Sequence, residues 1–437
     1  MSWLDFFTTN NSHKYPFGRG INANISPNEE ELFEKSYEAF ECKNILDAYE
    51  YFLNSLQNFT NNESNKNIIT SRVDDRLEFT IFQGCAKITG YISNEHLQAE
   101  VILIKKEDAS VALKRRILER NYQFTYIYYF TDDKYIKLKL FHDNITMSPQ
   151  KVFFPLRELA LNADFDKEYM KSEFSGTILE DIQHLTTINE DDLKIKYNFL
   201  NIWIQEIEEK IKLLPSNDNA GMQSFIYLNT MFKIDYLLVP HYDIYQKITK
   251  KVQEYFAEEN ISSEAKNDEL KQYLNKLQKI SFEDFSKNFY NAKYTFNQIE
   301  KTSTEDINTF INETLIKIRW YKNNRYNQII PTLYRYISFY LLYNYGLNPV
   351  LKELLHTLVE IQNPSFFKAL DYQILYDKNT KTFSKRAIIN KIDDAITPFI
   401  SKYKSLAPFG SSLNFDSENE FYNSFYLQLQ NLNFEEI

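Results

Sequence analysis

The spacing of hydrophobic positions changes along the chain, and the changes predict its parts. Ser26-Pro27-Asn28-Glu29 supplies an N-cap, a proline at the first helical position and a glutamate three residues after the cap. A helix begins there, with Phe33, Tyr37 and Phe40 on one face. A break at Cys42-Lys43-Asn44 precedes a second amphipathic run with Leu46, Tyr49, Leu53 and Leu56. The Asn-rich stretch 58–67 reads as a loop. Beyond it the period drops to two, as Leu77, Phe79 and Ile81 alternate with Glu78, Thr80 and Phe82. Gly84 marks a turn, and Ala86 to Ile92 and Leu97 to Ile104 continue as antiparallel strands. Asp108 caps a helix through Asn121. Phe124 to Phe130 and Ile136 to Leu140 return to strand across the turn Asp132-Asp133-Lys134, and Ser148-Pro149 opens another helix. Pro155 falls too deep for a first turn, which predicts a kink or a later helix start.

From about Asp192 the period is 3.6 almost throughout, with stripes such as Leu200, Ile204, Ile207 and Ile211, or Ile244, Ile248, Val252 and Tyr255. The predicted fold class is an α+β N-terminal module of order α-βββ-α-ββ-α with an antiparallel sheet, followed by an all-α helical domain. The predicted organisation is an irregular arm over 1–27, the α+β domain over 28–190 and the helical domain over 191–437.

Composition narrows the function classes. Among 437 residues are 35 Phe and 32 Tyr against 8 Gly and 11 Pro. So little glycine argues against phosphate-cradling nucleotide enzymes, collagen-like chains and propellers, which need positive φ and close backbone approach. A net charge of −10 argues against a general polyanion binder. Cys42 and Cys85 form neither a CxxC nor a disulfide framework and read as small buried hydrophobes in a reducing compartment. The segment Met1 to Phe7 lacks the features of a signal peptide, and no apolar run approaches the ~18 residues of a membrane span. A cytoplasmic protein without a membrane span is expected.

The order read over 28–165, with the turn at Asp132-Asp133-Lys134 and the helix start at Ser148-Pro149, resembles the type III secretion chaperone-like fold in its YbjN-like branch. Ile88 to Asp164 carries the likeness best, including Tyr91-Ile92-Ser93, Phe124 to Lys139 and Leu156-Arg157-Glu158-Leu159-Ala160. The resemblance covers about a third of the chain and contains no catalytic motif. It implies a bacterial protein-binding module, commonly dimeric, that holds a partner polypeptide along sheet and helix surfaces. The family's dimer-forming helix corresponds loosely to Asp108 to Asn121, where Lys114-Arg115-Arg116 places charge. The helical half resembles an uncharacterised extension.

Of His13, His96, His142, His184, His241 and His356, none lies in HExxH or pairs at i,i+4. His241-Tyr242-Asp243 and His142-Asp143 are the nearest constellations and read as capping or surface features. The pairs Asp74-Asp75, Asp132-Asp133 and Asp393-Asp394 read as turns or helix starts. No GxGxxG, P-loop or GxSxG occurs, so no catalytic residue, metal or cofactor is expected. The most distinctive stretch, 317–345, carries Lys317, Arg319, Lys322, Arg325 and Arg335 among many aromatics and no acidic residue. Its main reading is a core stripe of Tyr336, Phe339 and Tyr343 with Arg335 snorkelling beside it. The next is a partner surface of Trp320, Tyr321, Arg325, Tyr334 and Arg335, and the third is single-stranded nucleic acid. The function expected is a non-enzymatic protein-binding, adaptor or chaperone-like protein whose partner is another polypeptide or a second copy of itself. The alternative is an enzyme whose residues, His241, Asp243 or Arg335, converge at the inter-domain cleft.

Overall fold

Helices α1 (Pro27–Glu41) and α2 (Ile45–Ser55) form the hairpin expected around Lys43, which takes a left-handed φ of 57°. The computed structural model describes residues 17–18, 27–57 and 66–434, apart from 175, 218, 258, 402 and 408. The Ser26 cap and most of the predicted arm and Asn-rich loop lie outside the described residues. Cys42, expected inside, is exposed in the α1–α2 turn.

Six strands follow: β1 (Ile68–Val73), β2 (Arg76–Gln83), β3 (Ala86–Ile92), β4 (His96–Lys105), β5 (Ile127–Thr131) and β6 (Tyr135–Asp143). They pair antiparallel throughout in the order β1-β2-β3-β4-β6-β5. Strand β1 is one more than the sequence pattern predicts. It is an edge strand in which only Ile68 is buried, so it lacks the apolar alternation that marks β2 and β4. On the inner face Phe79 stands opposite Gly90, where a Cβ would meet its ring at 2.5 Å. The glycine makes room for the aromatic.

Helix α3 (Val111–Asn121) joins β4 to β5, and α4 (Pro149–Glu173) follows β6. Ser110, not Asp108, caps α3: its Oγ accepts from the Leu113 N–H at 3.1 Å, while Lys106–Asp108 forms a 3-10 turn. Helix α4 starts at its Ser148 cap and runs through Pro155. A proline there gives up one main-chain bond, and its buried ring is retained inside the fold. Val152, Leu156, Leu159, Ala160 and Ala163 of α4 complete a core with the inner sheet face and α2.

The remaining chain is helical as expected: α5 (Glu190–Lys212), α6 (Ala220–Lys233), α7 (Tyr242–Ala257), α8 (Ser263–Gln278), α9 (Phe282–Ser286), α10 (Thr304–Asn323), α11 (Ile330–Asn344), α12 (Pro349–Gln362), α13 (Pro364–Ala369), α14 (Lys385–Ile396) and α15 (Glu418–Gln430). A small hairpin, β7 (Tyr376–Asp377) and β8 (Thr382–Phe383), interrupts them. Among the described residues no helix is long and apolar enough to cross a membrane. These helices share a second core. Asp74-Asp75 and Asp132-Asp133 occupy hairpin turns, whereas Asp393-Asp394 lie exposed inside α14.

Two segments cross between the cores. Phe17 packs against His356, Phe366, Phe367 and Tyr372 of the helical core, and the Gly18 N–H donates to the Tyr236 carbonyl at 2.8 Å. In the other direction, the irregular chain after α9 returns to the sheet. Its Phe296 is buried in the α+β core against Phe153. The Gln83 Oε1 accepts the N–H groups of Thr295 and Phe296 at 3.0 and 2.8 Å, and Arg157 donates to the Asn297 carbonyl. Replacing Phe296 by alanine should cost about 3–5 kcal/mol of stability. Urea denaturation checks this, and an unchanged midpoint would show that the crossing segment contributes no core.

Candidate functional site

The chemistry-bearing side chains gather where α4 meets the helical part. Asp164, Lys167 and Glu168, spaced i, i+3 and i+4, share one side of α4, and each is buried. Opposite Asp164 is the β2–β3 turn. Gly84, with φ of 54°, takes the first turn position, and a Cβ there would lie 2.1 Å from the Asp164 Oδ1. The space left by glycine admits the carboxylate, which accepts from the Cys85 N–H at 2.8 Å. The Gly84 N–H donates to the Lys293 carbonyl, and the His184 Nε2 donates to the Gly84 carbonyl at 3.1 Å.

Lys167 reaches across this turn to the connection between modules. Its ammonium donates to the carbonyls of Glu180 at 2.7 Å and Cys85 at 3.2 Å. Burial lowers its proton affinity. Burial also pushes the Cys85 thiol up, reinforced by the Asp164 charge. The thiol therefore stays protonated, as suits a structural cysteine and not a nucleophile.

Glu168 meets the helical part directly. Its Oε1 accepts from the His241 Nδ1 at 2.9 Å and the Tyr290 hydroxyl at 2.8 Å, and the two rings stack at 3.7 Å between centroids. Its Oε2 is buried without a hydrogen-bond partner. The backbone that delivers His241 is unusual. Helix α6 continues into a π-helical turn, Ile234–Leu238, and Val239 and Tyr242 both have positive φ, at 52° and 47°. Lys196 of α5 steadies this turn by donating to the Leu238 carbonyl at 2.5 Å. Burial brings its pKa down to about 8.

The His241, Glu168 and Tyr290 group has the composition of an acid–base site, yet it is sealed within the fold. His241 is 2% exposed. Asp243 lies apart, exposed and ion-paired with Lys247. Arg335 lies apart as well, on α11. The structure does not bring the three residues of the enzyme alternative together: Tyr242 packs on Tyr290 within the seam, whereas Asp243 lies at its rim between Ser172 and Lys247. His142 bonds only the carbonyl of its neighbour Asp143, at 2.9 Å. Among the described residues no group of three or more His, Cys, Asp and Glu is placed to hold a metal ion.

The 317–345 stretch divides. Trp320 is 55% exposed at the end of α10 and stacks on Tyr326, Tyr321 is half-buried beside it, and Arg325 turns outward with φ of 63°. Tyr334 instead is buried on α11 against Tyr422 and Tyr426. It belongs to the core and offers no surface to a partner. Tyr336 and Phe339 are buried and Tyr343 is half-buried, with Arg335 partly exposed nearby. Residues 164, 167, 168 and 290, which complete the seam, carry no motif. The alternation of Tyr290, Tyr294 and Phe296 was the available sign of an extended segment.

Compared with known proteins, the chain matches no family model, no curated protein and no solved structure.

Glu168→Ala should cost about 3–5 kcal/mol, because it strands His241 and Tyr290 in the interior, whereas Tyr290→Phe should cost about 1 kcal/mol. Urea denaturation of both variants distinguishes the two losses. Lys196 gives a pH test. Between pH 8 and 10.5 the unfolded chain holds the proton that the folded chain has released, so stability rises with pH across that window, and below it the full cost of burial remains. Relative to Lys196→Met, the wild type should gain roughly 3 kcal/mol between pH 7.5 and 10.5. A flat difference would place the ammonium in water.

Proposed function

We propose that the chain is a non-enzymatic protein-binding protein, adaptor or chaperone-like, of the bacterial cytoplasm, and that the corner formed by α3, β5 and β6 is its binding surface. The supporting observation is where large apolar side chains face solvent. Val111 and Leu118 on α3 are 76% and 66% exposed, and Tyr122 just after it is 93% exposed. Tyr126, Tyr128 and Phe130 add exposed rings at β5, and Phe141 adds another from β6. Apolar exposure on this scale fits a protein partner better than a small substrate. The free edge of β5 is partly occupied: the Tyr129 N–H donates to Asn121 Oδ1, and those of Thr125 and Tyr126 to Glu158. Side chains, more than strand addition at this edge, then make the contact. The partner is an extended apolar polypeptide or the same corner of a second copy, which is the mode implied by the YbjN-like resemblance.

The full chain should bind a labelled, permanently unfolded polypeptide or self-associate in sedimentation equilibrium. Leu118→Asp with Tyr122→Ser should weaken either at least ~tenfold while leaving the thermal midpoint unchanged, since both positions are exposed. Equal binding by the variant would remove this surface, and a monomer that binds nothing would remove the reading.

A further inference from the structure

Lys167, Lys196 and Lys233 are buried among the described residues, and the first two end on main-chain carbonyls. Lys233, at the last position of α6 and 5% exposed, does not. Its ammonium stands 4.3 Å over the Trp203 ring, and neither a hydrogen bond nor an ion pair reaches it from the described residues. Other cations surround it. Lys210 lies two turns along α5 from Trp203, Arg335 comes from α11 and Lys378 from the turn of the β7–β8 hairpin, and all three charges act on Lys233. Arg335 is unsatisfied at one atom: its Nε is buried without a hydrogen-bond acceptor, and it makes no ion pair among the described residues.

Two carboxylates oppose these four cations. Glu206 pairs with Lys210 at 3.1 Å while its charge also acts on Lys233 and Lys378, and Glu418 accepts from the Tyr422 hydroxyl while its charge acts on Lys378. About two positive charges are left uncompensated. Lys378 is exposed to water, but charges taken from water without partners destabilise a fold, so an anion beside Lys233 and Arg335 would stabilise this arrangement.

We propose that this cluster binds the phosphoryl group of a small molecule, with Lys233 and Arg335 as the inner ligands, Lys378 at the exposed mouth and Trp203 as one wall. The class follows from the charge and the donors. A phosphate monoester carries roughly −1.5 to −2 at neutral pH, which matches the surplus. Arginine presents a planar fork to its oxygens and lysine a compact point charge. Burial and mutual repulsion lower the proton affinity of Lys233. Burial does the same at Lys210 and Lys378, where neighbouring cations add to it. A dianion reverses that penalty. This site is separate from the α3–β5 corner and stands without it.

Titration of the full-length protein with inorganic phosphate, against sodium chloride at equal ionic strength, tests the proposal by calorimetry and thermal denaturation. Phosphate should raise the midpoint saturably beyond chloride. Lys233→Met and Arg335→Gln should each weaken binding roughly tenfold or more, and the exposed Lys378→Gln should weaken it several-fold. In phosphate-free buffer Lys233→Met should also be more stable than the wild type, because it removes an unpaired interior charge. Equal responses to phosphate and chloride overturn the site, as does phosphate binding unaltered in Lys378→Gln and Arg335→Gln. The latter two variants decide the matter if Lys233→Met does not fold.

Discussion

Everything in this molecule leans on the double allegiance of α4. One side of the helix, Val152 through Ala163, is committed to the sheet by apolar burial. The adjoining side presents Asp164, Lys167 and Glu168, which are buried too and are tolerable there only because each finds a partner beyond the helix, Glu168 in the helical part itself. A carboxylate and an ammonium enclosed in this way fix geometry more than they add stability, since the gain in pairing is set against the loss of hydration. The turn at Gly84, the connection at Glu180 and the strained backbone before His241 are consequently held to one arrangement around a single helix.

The aromatic richness of the chain has a matching physical role. Large rings fill the spaces between helices, and their hydroxyls end on main-chain carbonyls of neighbouring elements: Tyr197 on Ile280, Tyr273 on Ile244 and Tyr426 on Tyr334. Tyrosine thus supplies packing and satisfies buried polar groups in one side chain. Gly84 and Gly90 are used where no larger residue fits.

Local signals carried much of the fold. The change of period near Leu77, the caps at Ser148 and the polar turn at Asp132 are properties of neighbouring residues, and a single sequence displays them. Strand β1 was hidden because an edge strand has little to bury, and the crossing segment because its partners, Gln83 and Arg157, are well over a hundred residues away. The seam was hidden for the same reason. His241 and Cys85 were each visible as residue types, but their meeting on α4 is a product of tertiary packing. The basic cluster left one sign, a lysine at 233 set among Met231, Phe232 and Ile234, where an uncharged side chain would satisfy the helical stripe. The second reading of the aromatic stretch put Trp320 and Tyr334 on one partner surface, although helical geometry sends Trp320 outward and Tyr334 inward.

The return of Phe296 to the sheet also orders events in time. A ribosome extending a chain at about 5–20 residues per second finishes α4 roughly 6 to 25 s before it delivers the ring that completes the first core. During that interval the nascent α+β module holds a gap beside Phe153, and the Gln83 amide lacks its main-chain partners. The N-terminal half is therefore made first and finished second, and its maturation is timed by the translation of the half that follows.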